Sequence, residues 1–253
     1  RLLRKYPHLD YVVSGEGEET FVELLEAMAA GRPLDGVKGL AWRDGGRIAV
    51  SANRPPKEDL GRHPRAISRK KAAELSDVVL YETSRGCRYS CAYCLWSPYP
   101  KRYFPMRRIK EELGWILANP KVKRIWFVDS DFDSDPERAK EILRFVRDNN
   151  PHGTKVSGFL SFDRLDEELL ELVAELFIEI PVGIQTIDAG LQKALGRAWF
   201  DPAAMGRKLE TICRSIAPER LFIDLMFALP GERRGDLMRS LRWCVSRGLT
   251  HIN

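Results

Sequence analysis

The sequence of 253 residues predicts an α/β protein whose larger part is an incomplete parallel barrel. From residue 78 onward, short apolar runs rich in β-branched residues alternate with helical patterns at a roughly regular interval. The runs are apolar almost throughout, which is typical of strands buried on both faces of a parallel sheet. Because only five or six such units fit into the chain, an incomplete (β/α)6-type barrel fits better than a closed barrel of eight units.

The first 66 residues have a different pattern, and we expect them to form a small α+β segment. A short strand leads through a Gly-Glu-Gly-Glu turn into a helix that ends at Gly31. The apolar residues predicted to share one face of this helix are Phe21, Leu24, Leu25 and Met28. A hairpin follows, with the Asp-Gly-Gly sequence of residues 44–46 at its turn, and a stretch rich in proline and charge then predicts a linker.

Residues 67–253 make up the predicted barrel domain. Its strands are expected at residues 78–84, 124–129, 155–161, 179–186, 220–227 and 249–253. Helical periodicity lies between the strands, as at residues 166–176, where leucine and valine side chains form one apolar stripe. Since reactive groups gather at the C-terminal ends of parallel strands, we expect the functional site in the loops that follow them.

The composition narrows the class of protein. The chain is 44% hydrophobic and 30% charged, with a formal net charge of +5, as in a soluble globular protein. Its basic clusters, at residues 68–74 and 101–112, are flanked by acids and carry no recognition motif, so a nucleic-acid partner is not predicted. No apolar run reaches the roughly 20 residues of a membrane span, and no signal-peptide pattern opens the chain, so we expect a cytoplasmic protein without membrane contact.

Three of the five cysteines fall within eight positions, in the pattern Cys87-x3-Cys91-x2-Cys94 directly after the first barrel strand. An odd number of cysteines, three of them too crowded to pair with one another, argues against a secreted disulfide scaffold. Cys213 and Cys244 lie on apolar helical faces and are predicted to be core residues. The three clustered thiols are therefore the candidate metal ligands.

The number of ligands separates the kinds of metal site. A closed structural zinc site needs four ligands, usually as two separated pairs, and the sequence offers no second pair. A cubane with four irons held by three thiolates keeps one iron open, and an open metal position indicates chemistry. An iron–sulfur electron-transfer module and a structural zinc module remain as alternatives from another class.

The cysteine spacing, with Tyr93 directly before the last cysteine and the motif placed after the first strand of a βα array, resembles the radical S-adenosylmethionine (radical SAM) enzymes. The resemblance covers residues 78–253 and implies a barrel of the radical SAM kind. It also implies a 4Fe–4S cluster on Cys87, Cys91 and Cys94, with SAM chelating the fourth iron. Reduction then cleaves SAM to methionine and a 5′-deoxyadenosyl radical, so the resemblance further implies a reducing partner such as flavodoxin or ferredoxin.

The resemblance also implies contacts to SAM. Tyr93 would lie beside the adenine. The family's Gly-Gly-Glu sequence after the second strand is absent, and Asp129 or Asp131 would replace it as acceptor for the SAM amino group. Arg164 would meet the SAM carboxylate, and Gln185 the ribose or the carboxylate. For each of these residues, a solvated loop position or a helix cap is the alternative.

Other loop residues receive different predictions. Asp133 and Asp135 are expected to cap a helix that starts near residue 136. Trp96, Tyr99 and Trp199 are candidates to face the substrate, with ordinary packing as the alternative. No residue is predicted to act as a catalytic acid, base or nucleophile.

Residues 10–53 resemble the junction that follows the cobalamin-binding domain in B12-dependent radical SAM enzymes, where it ends a Rossmann-like domain. Gly15, Glu16 and Gly17 would then approach the cobalamin nucleotide tail, although a plain strand-to-helix turn also explains them. Most of that domain, including an Asp-x-His-x-x-Gly motif, is absent from the sequence. The resemblance implies cobalamin-dependent methylation of an unactivated centre in a small-molecule or peptide substrate, with radical cyclisation or rearrangement as the alternative.

Overall fold

The computed structural model describes residues 1–95, 99–161, 164–197 and 200–253. The chain divides into two compact units, Arg1–Glu58 and Asp59–Asn253. The division falls earlier than the predicted boundary at residue 66, because Leu60 is buried in the core of the second unit. That residues 1–66 end a cobalamin-binding domain stays a prediction.

The first unit is a three-stranded antiparallel sheet with two helices. Its elements are α1 (Leu2–Lys5), β1 (Tyr11–Val13), α2 (Glu18–Ala29), β2 (Leu40–Asp44) and β3 (Arg47–Val50). The strand order is β1-β2-β3, and β2 and β3 form the predicted hairpin. Its small core holds Leu24, Ala27, Val37 and Leu40.

Helix α2 forms as predicted, but it buries a different face. Of the four apolar residues expected to share its buried face, only Leu24 is buried, together with Thr20 and Ala27. Phe21, Leu25 and Met28 are each at least half exposed in this chain. The four positions have the i, i+3, i+4, i+7 spacing of one helical face, but the helix packs through the neighbouring face that carries Thr20, Leu24 and Ala27, so periodicity alone did not identify the contact face.

The second unit holds the parallel sheet. Its strands are β4 (Asp77–Tyr81), β5 (Ser84–Arg85), β6 (Arg102–Tyr103), β7 (Val122–Phe127), β8 (Lys155–Gly158), β9 (Phe177–Gln185), β10 (Leu221–Leu225) and β11 (His251–Ile252). Its helices are α3 (Arg69–Glu74), α4 (Met106–Leu117), α5 (Pro136–Asp148), α6 (Glu167–Leu176), α7 (Ala189–Ala194), α8 (Pro202–Ser215) and α9 (Arg234–Val245). Short 3-10 turns lie at Leu60–Arg62, Phe132–Ser134 and Pro218–Arg220.

Six strands form one parallel sheet in the order β4-β7-β8-β9-β10-β11, and β5 and β6 form a separate antiparallel ribbon. In the described part of the chain, β4 and β11 each pair with one neighbour only, so the sheet is an open, partial barrel. The α/β fold with a six-unit incomplete barrel is therefore confirmed. None of the helices in the described ranges is both long and apolar enough to span a membrane.

Alternation along the strands separates the core from the functional face. In β9, Ile180, Val182 and Ile184 are buried against the helices, and each such burial contributes about 1.5–3 kcal/mol. The residues between them, Pro181 and Gly183, line a cavity on the opposite face. The same alternation that stabilises the barrel thus directs Pro181, Gly183 and Gln185 toward the candidate site.

Candidate cofactor site

A cavity of about 210 Å³ lies at the C-terminal ends of the parallel strands. The thiols of Cys87, Cys91 and Cys94 all line it. Two groups of side chains face them. The β7 wall is formed by Ser130 and Asp131, and the β9 wall is formed by Pro181, Gly183, Gln185 and Arg197. Of the residues that the sequence predicted for SAM, the cavity brings together Tyr93, Asp131 and Gln185.

The chain enters the cysteine loop through Gly86, which has a positive φ of 78°. A Cβ atom at this position would lie 2.2 Å from the carbonyl oxygen of Pro100, so only glycine fits without moving the backbone. The next residue, Cys87, donates its N–H to the carbonyl of Tyr99 at 3.2 Å. The Ser130 hydroxyl donates to the Gly86 carbonyl at 2.5 Å. The first cysteine is thus fixed by backbone contacts on two sides.

The three cysteines are free thiols; Cys91 is buried, and Cys87 and Cys94 are half-buried. Burial raises the pKa of the Cys87 thiol, and the nearby Asp131 carboxylate raises it further. Bound metal reverses this effect, because a cation stabilises the thiolate. A bound metal cluster would therefore favour the ionised form of this thiol.

The arrangement of the three thiols bears on which kind of metal site they can form. Within the described residues, no group of three or more His, Cys, Asp or Glu side chains is arranged to hold a metal ion. A single zinc ion needs ligands that converge on one point, which these thiols do not offer. The three cysteines line one cavity together with Asp131, Gln185 and Arg197, and a shared cavity of this kind is compatible with a cluster of several irons, whose ligands bind different metal atoms.

Asp131 carries the main charge of the β7 wall. It is 2% exposed, and Arg88 Nε lies 2.9 Å from its Oδ2. Neither carboxylate oxygen accepts a hydrogen bond from the described residues. Burial raises the pKa of Asp131 to about 7, helped by the Asp133 carboxylate and opposed by Arg88 and Lys101. Its Oδ1 therefore has acceptor capacity left at the cavity surface, whereas its Oδ2 lies in the ion pair with Arg88.

Asp129 has a different position from the one predicted for a SAM ligand. It is 1% exposed and does not line the cavity. Its carboxylate accepts the Thr83 N–H at 3.0 Å, the Thr83 hydroxyl at 2.8 Å and the Ser84 hydroxyl. Three donors from the segment between β4 and Gly86 occupy this carboxylate, so Asp129 anchors the start of the cysteine loop.

The remaining predicted acids and bases also find partners. Asp135 caps α5 by accepting the Arg138 N–H at 3.2 Å, as predicted. Asp133 does not cap a helix; it accepts the N–H and hydroxyl of Ser161, both at 2.8 Å. Arg164 is exposed, lies outside the cavity lining, and donates to the Ser134 carbonyl at 3.4 Å. Its predicted contact to the SAM carboxylate has no support from this position.

Gln185 lies in the β9 wall, at the end of the strand, with a positive φ of 67°. Its side chain folds back over Gly183, where an added Cβ would lie 2.8 Å from Gln185 Nε2. Gly183 therefore gives Gln185 the room to face the cavity. Tyr99, a candidate substrate contact, accepts the Cys87 N–H through its backbone carbonyl, and a substrate contact of its side chain stays a prediction; Trp96 and Trp199 lie outside the described residues.

The sequence did not predict Arg197, which is 6% exposed in the β9 wall. Its Nη2 donates to the Gly183 carbonyl at 2.7 Å, its Nε to Gln192 Oε1 at 3.0 Å, and its Nη1 to the Tyr93 hydroxyl at 3.3 Å. It lies after α7, the helix that follows the fourth strand, and no motif in the sequence marks it. Asp224 was also missed, although a lone acid within the apolar strand β10 is a signal that could have found it.

In the first unit, the turn predicted to approach cobalamin has local partners. Gly15 has a positive φ of 80°, and a Cβ on Gly17 would lie 3.1 Å from Val13 Cγ1. Glu16 Oε2 accepts the Lys57 N–H at 3.3 Å. These contacts explain the turn as local structure, and its contact with cobalamin stays a prediction.

A partial parallel barrel with three free thiols around a cavity at its mouth defines an α/β enzyme of the cluster-binding class. The chain belongs to the Radical SAM superfamily, whose family profile matches residues 81–244. Enzymes of this family use an iron–sulfur cluster together with SAM. The prediction of an enzyme with these two cofactors is therefore confirmed at the level of the family.

Two curated relatives with similar sequences are methyltransferases by name. The chain is 33% identical over 149 residues to "Uncharacterized methyltransferase PH0819" of Pyrococcus horikoshii, covering 55% of this chain and 32% of the relative. It is 31% identical over 145 residues to "Cobalamin-dependent radical SAM methyltransferase TokK" of Streptomyces tokunonensis, covering 52% of this chain and 21% of the relative. The chain thus spans a third or less of the length of these curated relatives. The name of the second relative supports the predicted resemblance to the cobalamin-dependent branch.

A solved structure shows the same fold. The radical S-adenosylmethionine methyltransferase TsrM from Kitasatospora setae superposes with a TM-score of 0.76 at 19% sequence identity. The match covers 100% of this chain and 52% of that chain. The partial barrel is therefore a known radical SAM architecture.

Proposed function

We propose that this chain is the radical SAM part of a cobalamin-dependent methyltransferase that acts on an unactivated carbon or phosphorus centre. The observation that carries the proposal is the convergence of three motif thiols, Asp131, Gln185 and Arg197 on one cavity at the barrel mouth. The substrate is a small molecule or a peptide, and the electron comes from a reducing partner such as flavodoxin or ferredoxin.

Each group in the cavity has a role in the proposal. Cys87, Cys91 and Cys94 hold a 4Fe–4S cluster as thiolates. When bound, the cluster and SAM supply a 5′-deoxyadenosyl radical that abstracts hydrogen from the substrate. The protein's own contribution is to bind and orient these groups and to exclude water from them.

Asp131, rather than Asp129, accepts the SAM amino group. Asp131 lines the cavity, and its Oδ1 has no hydrogen-bond donor among the described residues while its Oδ2 is paired with Arg88; Asp129 lies outside the lining and already accepts three hydrogen bonds. An ammonium group beside Asp131 would stabilise its ionised form by a charge-assisted hydrogen bond. Gln185 and Arg197 present the polar groups of the opposite wall to the carboxylate and ribose of SAM, and Tyr93 lies beside the adenine.

We include cobalamin for two reasons. The relative TokK is named as a cobalamin-dependent enzyme, and residues 10–53 resemble the junction that follows a cobalamin-binding domain. When bound, cobalamin would supply the methyl group to be transferred, and SAM would be the source of that methyl group as well as of the radical. The Gly15–Gly17 turn would face the corrin's nucleotide tail, in addition to its local contacts.

The test is an anaerobic assay with the reconstituted protein, SAM and a chemical reductant. We expect 5′-deoxyadenosine from the parent protein and from Cys213→Ala, which alters a cysteine outside the cavity, and none from Cys91→Ala. No 5′-deoxyadenosine from a parent protein that carries its cluster would contradict the proposal. Methyl transfer that proceeds equally well without added cobalamin would remove the cobalamin part and keep the radical part.

A further inference from the structure

The segment that follows α7 touches the cysteine loop at three consecutive residues. Leu195 accepts the Ala92 N–H through its carbonyl at 2.9 Å. Gly196 packs its Cα against the carbonyl oxygen of Ser90. Arg197 donates to the Tyr93 hydroxyl at 3.3 Å. We propose that residues 195–197, here called the α7 clamp, position the middle cysteine of the motif, with Gly196 as the positioning residue that makes the close approach possible.

The approach at Gly196 leaves no room for a side chain. Gly196 has a φ of 72°, and an added Cβ would lie 2.7 Å from the Ser90 oxygen and 3.5 Å from the Ala92 nitrogen. A Cβ needs more than 3.0 Å from a backbone atom, so any other residue must displace the loop. Ser90 and Ala92 are the two neighbours of Cys91, so a displacement here moves Cys91 directly.

The α7 clamp is itself fixed to the sheet. Arg197 donates to the Gly183 carbonyl at 2.7 Å and to Gln192 Oε1 at 3.0 Å. Gln192 is 1% exposed and donates to the Ile184 carbonyl at 2.8 Å. Both carbonyls belong to β9, so the clamp transmits the position of the fourth barrel strand to the cysteine loop.

This arrangement gives the loop two supports from different strands. Gly86 and Asp129 fix its beginning to β4 and to the end of β7. The α7 clamp fixes its middle to β9, whose wall holds Gln185. The thiol of Cys91 is therefore placed relative to the wall that faces it across the cavity. The consequence for the cluster rests on the proposed function, whereas the backbone contacts of the clamp do not.

The chain offers matched controls for a test. Gly153 and Gly248 have φ values of 67° and 73°, and nothing lies within 4 Å of a Cβ added to either. Gly153→Ala and Gly248→Ala therefore carry the same kind of left-handed backbone strain as Gly196→Ala without the contact. Any difference between Gly196→Ala and these two variants reports on the cysteine loop.

The first measurement is amide hydrogen exchange of the metal-free full chain, resolved at Ala92 by NMR. We expect the Ala92 amide to be protected in the parent protein and in both controls, and to exchange about fivefold faster in Gly196→Ala, as loss of one hydrogen bond predicts. An unprotected Ala92 amide in the parent protein would overturn the clamp, whatever the variants do. Unchanged exchange in Gly196→Ala would also overturn it.

The second measurement is iron retention after anaerobic reconstitution, with the EPR spectrum of the reduced cluster before and after SAM addition. We expect Gly196→Ala to retain iron about tenfold more weakly than Gly153→Ala and to lose the spectral change on SAM addition, with an unaltered circular dichroism spectrum. Equal iron retention and an unchanged EPR response would contradict a positioning role. If the parent protein takes up no iron, the proposed function fails, and hydrogen exchange alone decides the clamp.

Discussion

The β7 wall and the β9 wall of the cavity are built by different physical means. Asp131 of the β7 wall is a buried carboxylate held among charges, with Arg88 Nε at 2.9 Å from Oδ2 and Lys101 Nζ donating to its carbonyl at 2.8 Å. In the β9 wall, Arg197 is held mainly by a strand carbonyl and an amide oxygen. The first wall therefore responds to charge and pH, and the second responds to backbone geometry.

Asp129 and Asp131 give the sharpest test of the β7 wall, since two acids two positions apart have separate roles. Asp129→Ala removes the acceptor for three buried donors, so we expect the free energy of unfolding to fall by about 3–5 kcal/mol. Urea unfolding of the metal-free protein measures it. Asp135→Ala, which removes only a helix cap, is the control and should cost about 1 kcal/mol. A stable Asp129→Ala protein with impaired SAM binding would restore the assignment made from the sequence.

Asp131→Asn should weaken SAM binding and leave the stability of the fold largely unchanged. The change keeps the shape of the side chain and removes its charge, so we expect SAM affinity to fall by about 2 kcal/mol, or roughly thirtyfold, while the protein remains folded. Calorimetric titration of the cluster-loaded protein with SAM is the measurement. Parent-like affinity together with the same cluster content would show that another group accepts the SAM amino group.

The raised pKa of Asp131 also predicts a pH dependence of the metal-free protein. Burial and Asp133 raise this pKa to about 7, so between about pH 4 and pH 7 the folded state keeps a proton that the unfolded state has lost. This contribution to stability is therefore complete below about pH 4 and decreases as the pH rises to 7. We expect the unfolding free energy of the parent protein to decrease more steeply over this range than that of Asp131→Asn. Parallel pH profiles would contradict the raised pKa.

The β9 wall should give smaller effects. Gln185→Ala removes one polar contact to SAM and leaves the strand in place, so we expect an affinity loss of about 1 kcal/mol, roughly fivefold. The same calorimetric titration measures it, and Gln185→Asn serves as a variant that keeps the amide. If Gln185→Ala weakened SAM binding more than Asp131→Asn, the β9 wall and not the β7 wall would supply the main contact to SAM.

The fold was predicted well from the sequence because each strand has a clear local pattern. All six parallel strands lie within a few residues of their expected positions, since each is an apolar run between turn-forming residues. The cysteine motif was equally visible because its spacing is local. Helix α2 shows the limit: periodicity identified the helix, but the contact face depends on what packs against it, and only Leu24 was chosen correctly.

The cavity walls were harder to predict for physical reasons. Asp129 and Asp131 would share one face in a regular strand, but β7 ends at Phe127, and the backbone beyond it turns one carboxylate toward Thr83 and the other toward the cavity. Arg197 lies about a hundred residues from Tyr93 in the sequence, and no local motif predicts a contact over that separation. Such contacts follow from the packing of the loops, which only the folded chain shows.

The iron and sulfide content of the protein tests most directly whether the three cysteines hold a 4Fe–4S cluster. After anaerobic reconstitution, iron and sulfide analysis should give about four irons and four sulfides per chain for the parent protein and for Cys213→Ala. Cys87→Ala, Cys91→Ala and Cys94→Ala should each lose the cluster, since all three thiols line the cavity. Stoichiometric zinc without iron in the parent protein, or full iron content in Cys91→Ala, would contradict the account.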